Sequence, residues 1–83
     1  MALRVTFSRS EIFAEGSDLD EHQQEYVSEN NDVKITGEFF LTVYVDGKQV
    51  AQRYYGDEDT GDYEFWQLAG SGARYDLLTV EPA

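Results

Sequence analysis

Hydrophobic and polar residues alternate most clearly between Val33 and Tyr55. Val33, Ile35, Phe39, Leu41, Val43 and Val45 fall on one side of this run. That is the period of two expected of a strand with one buried face. Asp46-Gly47 follows, a pair suited to a type I′ hairpin turn, whose two central residues need positive φ. Closing the hairpin there sets Val45 opposite Lys48, Val43 opposite Val50, Leu41 opposite Gln52 and Phe39 opposite Tyr54 on the inner face. On the outer face Tyr44 meets Gln49, Thr42 meets Ala51 and Phe40 meets Arg53, and both are sensible cross-strand sets. Gly37 is expected to mark a bulge or a bend in one long strand.

The same period recurs elsewhere. Leu3, Val5 and Phe7 alternate with Arg4 and Thr6, which predicts a strand over 3–7. Tyr63, Phe65 and Gln67 alternate with Glu64, Trp66 and Leu68. Tyr75, Leu77 and Thr79 alternate with Asp76, Leu78 and Val80, and Pro82 closes that strand. Residues 69–73 (Ala-Gly-Ser-Gly-Ala) read as a flexible turn between them. On this parity Phe39, Tyr54 and Phe65 belong to the core. Trp66 and Tyr44 fall on the outer face, either as an interface anchor among acids or beneath a covering 18–28 segment.

Residues 8–32 do not sustain the alternation. Ser17 followed by Asp20 resembles a capping box, which predicts a helix over 18–28. Leu19, Gln23, Tyr26 and Val27 would share one helical face, and Asp18, Glu21, Glu25 and Glu29 another. A strand over 22–28 and an irregular loop are the alternatives. The expected fold is therefore α+β or mostly β: an antiparallel meander of four or five strands, with one short helix or long acidic loop inserted after strand one. Strand one would add at an edge or close against the last strand. Residues 1–83 are expected to form a single domain.

Charge changes this picture more than composition does. The chain has 17 acids, six bases and a net charge of −11. Thirteen of the acids lie in two stretches without Lys or Arg: eight from Ser10 to Val33 and five from Tyr54 to Ala73. Such segregation creates a field that a positive partner can read. At 41% hydrophobic and 14% aromatic, the chain still has the means to fold. A domain of this size has about 4–12 kcal/mol of stability to draw on. Direct binding of nucleic acid or of an anionic membrane is not expected, because both need clustered Lys and Arg.

The chain has no cysteine, so thiolate metal sites, thiol nucleophiles and disulfides are excluded. That fits a reducing cytoplasm. No apolar run reaches membrane-spanning length, and no signal-peptide h-region is evident. Asp57-Glu58-Asp59-Thr60-Gly61-Asp62 looks like a calcium loop until counted. Gly61 is fifth rather than sixth, and Leu68 stands where position twelve needs Glu. His22 has no evident catalytic or metal-binding companions. Without a recognisable catalytic motif, the expectation is a non-enzyme with no cofactor and no metal.

In size, acidity, lack of cysteine and lack of motifs, the chain resembles the small acidic inhibitors that phages and mobile elements direct against host defence, the anti-CRISPR and anti-restriction proteins. The resemblance implies an acidic inhibitor that blocks a basic nucleic-acid-binding site on a larger host protein or complex, as a nucleic-acid mimic in the manner of several members of that class, in the host cytoplasm if the source is a phage. It carries over no residue roles. From the charge pattern itself, the candidate partner-binding residues are Asp18, Glu21, Glu25 and Glu29 in one patch, and Asp57, Glu58, Asp59, Asp62 and Glu64 in another. The alternative is a small β-rich structural or assembly module or oligomer subunit, whose acidity reflects solubility or a halophilic source.

Overall fold

A computed structural model describes residues 1–9, 23–56 and 64–83. Within them the chain forms eight strands: β1 (Leu3–Ser8), β2 (Gln23–Ser28), β3 (Val33–Thr36), β4 (Leu41–Val45), β5 (Lys48–Tyr54), β6 (Phe65–Leu68), β7 (Arg74–Tyr75) and β8 (Leu77–Pro82). They build two antiparallel sheets. One has three strands in the order β2-β1-β8; the other has five, β3-β4-β5-β6-β7, a meander in chain order. The fold is mostly β, with no helix among the described residues.

The two sheets bury a shared core. Val5 and Phe7 come from the three-stranded sheet; Val43, Val45, Val50, Ala51, Trp66, Leu68 and Tyr75 come from the five-stranded one. Phe7 joins them, with its ring edge-on to Trp66 at 5.8 Å and to Tyr26 at 6.1 Å. Aromatic edge contacts of this kind add about 0.5–1.5 kcal/mol beyond area burial.

The hairpin expected at Asp46-Gly47 is present. Asp46 has φ 50° and Gly47 φ 81°, the paired positive values of a type I′ turn. Val45 pairs with Lys48 and Tyr44 with Gln49 as expected, but the register then shifts: Val43 meets Ala51, Thr42 meets Gln52 and Leu41 meets Arg53. A β-bulge there leaves Val50 as the extra residue, so Val50 and Ala51 are both buried. Beyond a bulge, the faces of the bulged strand are exchanged relative to simple alternation.

Other boundaries also differ from the sequence reading. The run 33–45 is two strands rather than one, because β3 folds back on β4 with Val33 opposite Val45 and Ile35 opposite Val43. Gly37 therefore belongs to a tight turn, at φ 129°. A Cβ there would come 1.6 Å from the Phe40 carbonyl oxygen, so only glycine fits. The run 74–82 is likewise divided. Its first two residues join the five-stranded sheet, and after Asp76 the chain enters the other. At that corner the Asp76 N–H donates to the Ser8 carbonyl at 3.2 Å.

The helix expected over 18–28 is not formed across Gln23–Ser28, which is strand β2; residues 18–22 lie outside the described residues. Pairing β2 with β1 sets Tyr26 opposite Val5 and Ser28 opposite Leu3, on the core side, and turns Glu25 and Val27 outward. Tyr26 and Val27 thus lie on opposite faces instead of sharing one. The first strand does close against the last, with Val5 opposite Val80, but it is the central strand of its sheet.

Candidate functional site

Of the nine acids expected to bind a partner, Glu25, Glu29 and Glu64 lie among the described residues. Asp18, Glu21, Asp57, Glu58, Asp59 and Asp62 lie outside them, as does His22. Glu25 sits on β2 in the three-stranded sheet, Glu29 follows β2, and Glu64 precedes β6 in the other sheet. Among the described residues, no three acids or histidines group as metal ligands would.

Two of these acids already face cations. The Arg4 guanidinium lies 3.3 Å from Glu25, and Arg53 pairs with Glu64. These pairs are invisible in the linear charge pattern, because each base comes from outside its acidic stretch. Both are partly solvent-exposed, so each contributes only about 0–1 kcal/mol. They also reduce the free negative charge at these two positions.

Asp46 has a second role beyond its turn. Its carboxylate accepts from the Ser28 hydroxyl at 2.7 Å, from the Glu29 N–H at 2.7 Å and from the Asn30 N–H at 3.3 Å. The Asp46 N–H donates to the Asp32 carbonyl at 2.8 Å, and the Asp32 N–H donates to Ser28 Oγ at 2.9 Å. This knot ties the hairpin of one sheet to the segment leaving the other. The Ser28 hydrogen bond, aided by the Glu29 and Asn30 amides, holds the Asp46 carboxyl below the usual aspartate range. Burial, reinforced by nearby Tyr75, pushes the Tyr26 hydroxyl above its ordinary value.

The more distinctive surface is the outer face of the five-stranded sheet. The bulge places Tyr54 there, opposite Phe65 on β6. The two rings stack at 5.3 Å between centroids with an interplanar angle of 20°. Phe40, at the end of the Gly37 turn, meets Tyr54 edge-on at 5.8 Å. Across the sheet, the Arg74 guanidinium lies over Phe65 at 4.5 Å. Beside this row, Gln52 reaches Thr42 at 3.5 Å. Phe39 and Phe40 are 75% and 50% exposed.

This reverses the expected aromatic faces. Phe39, Tyr54 and Phe65 do not form the core, whereas Trp66 is 6% exposed within it. Tyr44 keeps its outer position opposite Gln49. Residues 23–28 do not cover this face, because β2 pairs with β1 in the other sheet. Of the two aromatics expected on the outer face, Tyr44 lies there and Trp66 does not. The signal that could have corrected the expected faces is Val50-Ala51, two consecutive small apolar residues at which a bulge can bury both.

No helix among the described residues is long and apolar enough to cross a membrane. Neither a family model, a curated protein nor a solved structure matches this chain.

Proposed function

We propose that this protein is an acidic binding protein that occupies a basic, nucleic-acid-binding site on a larger protein and thereby blocks it. The observation that carries this reading is the segregation of acid from base along the chain. Thirteen of 17 acids occupy two stretches without Lys or Arg. Several bases outside those stretches are engaged within the fold: Arg4 with Glu25, Lys34 with Asp32 at 4.0 Å, Arg53 with Glu64, and Arg9 with the Arg74 carbonyl. These bases are already engaged, and the chain as a whole keeps a net charge of −11. Such a field accelerates encounter with a positive partner, and this contribution falls steeply with salt. Charge at a rim contributes little affinity, so apolar anchors are needed as well. Duplex DNA presents a charge about every 1.7 Å of axis, and clustered carboxylates can compete for a groove built to receive it.

Reversing charge at Asp57, Glu58 and Asp59 tests the reading. Binding to the basic partner should weaken about tenfold or more, about 1.4 kcal/mol or more, with the circular dichroism spectrum retained. Unchanged affinity in titration calorimetry would remove this stretch from the interface.

A second reading is an assembly module that recruits another strand through an open sheet edge. In its favour is β3, an edge strand whose Ile35 is 44% exposed. Binding that persists in about half-molar salt, where the Debye length is only a few ångströms, favours the assembly module. Binding lost over that range favours the acidic inhibitor.

A further inference from the structure

We infer that the outer-face aromatic row of Phe40, Tyr54 and Phe65, together with the exposed Phe39 next to Phe40 in the chain, is the anchor that receives arginine side chains of the basic partner. This deepens the reading above and rests on it.

The row is continuous. Phe40 meets Tyr54 edge-on, and Tyr54 stacks on Phe65. At its β7 end, one ring already holds a guanidinium, that of Arg74 over Phe65. The chain itself therefore displays the contact proposed for the partner: a planar cation on an aromatic face. At the other end, Phe39 and Phe40 are largely open to solvent, and the Gly37 turn fixes the backbone that presents them. Exposed aromatic faces attract guanidinium groups through the ring quadrupole and through stacking, and a guanidinium does so better than an ammonium.

Charge selects the occupant. Glu38 immediately precedes the two phenylalanines, and the chain between the stacked Tyr54 and Phe65 carries Asp57, Glu58, Asp59, Asp62 and Glu64 with no Lys or Arg. Single-stranded nucleic acid also stacks on aromatic sheet faces, but a molecule of charge −11 repels phosphates. A second copy of the chain would bring the same charge against itself. An arginine-rich polypeptide satisfies both the rings and the field.

The test is titration of the full chain at low salt with two fluorescent peptides of equal length, one of arginines and one of lysines. The wild-type protein should bind the arginine peptide about fivefold more tightly, the size expected from exposed cation–π contacts. Phe39→Ser and Phe40→Ala, both at exposed positions, should abolish that preference singly or together, while lysine-peptide affinity stays within about twofold. Preference retained in the double variant overturns the anchor. Tighter binding of a single-stranded oligonucleotide than of the arginine peptide overturns it too, as does a wild-type dimer in sedimentation that Phe39→Ser or Phe40→Ala converts into a monomer. The charge-reversed D57K/E58K/D59K protein separates the two ideas. If it binds both peptides as wild type does, the parent reading fails at this acidic stretch; if binding falls equally for both while wild type shows no arginine preference, only the anchor fails.

Discussion

Phe65 and Trp66 are neighbours on β6, but they face opposite sides of one sheet and meet different surroundings. Trp66 packs against Phe7 of the opposing sheet and is nearly inaccessible to water. Phe65 stacks on Tyr54 beneath Arg74 on the open side. The two side chains are similarly apolar, so hydrophobicity alone does not assign them. What separates them is which face the three-stranded sheet covers. Burial in that interface contributes about 1.5–3 kcal/mol for a large apolar side chain, whereas the half-buried Tyr54–Phe65 stack contributes about 0.5–1.5 kcal/mol. One face is buried between the sheets, and the other is not covered by the three-stranded sheet.

The contrast is open to direct attack. Trp66→Ala is expected to cost about 3–5 kcal/mol, enough to remove much of the stability of so small a domain; urea unfolding would then begin without a native baseline. Gly37→Ala comes next, at about 2–3 kcal/mol, because the new methyl meets the Phe40 carbonyl in a backbone conformation alanine avoids. Its unfolding midpoint in urea should fall, and near-ultraviolet circular dichroism should report a disturbed Phe39–Phe40 turn. Phe65→Ala should cost no more than about 1.5 kcal/mol in the same urea titration. A loss as large as that of Trp66→Ala would mean that both faces are covered, and would dissolve the distinction.

Asp46→Asn should have the smallest effect, and one that depends on pH. Asparagine tolerates the positive φ of the turn, so the substitution removes charge rather than shape. The folded state lowers the carboxyl's pKa, so the ionised form favours folding. That contribution is complete above the ordinary aspartate value and is lost as pH falls through the lowered native value. The difference in Tm between wild type and Asp46→Asn should be present near neutrality and vanish in acid. A difference independent of pH would assign the knot between the sheets to hydrogen-bond geometry rather than to charge.

The sequence was most informative where a short signal has one physical solution. Asp46-Gly47 gave its turn and the first two residue pairs, because few residue types accept positive φ in a two-residue loop. It was less informative at the Gly37 turn, whose last two residues are phenylalanines instead of the polar residues that usually mark a loop. Strand β2 was hidden because its buried residue is Ser28 while Val27 faces solvent. The corner at Asp76 carries no proline or glycine to announce it. Among the candidate binding residues, Glu25 and Glu64 stand out as acids in sequence, yet their pairing with Arg4 and Arg53 depends on contacts across strands.

By itself, the sequence determined the β character of the chain, its β4–β5 turn and its unbalanced charge, since these follow from local periodicity, backbone sterics and residue counts. The tertiary structure decided how the strands divide between two sheets, which aromatics are core and which are surface, and which acids meet a base. A single bulged residue, Val50, is enough to exchange the faces of the strand beyond it, and whether a bulge forms depends on packing against a sheet built from distant parts of the chain.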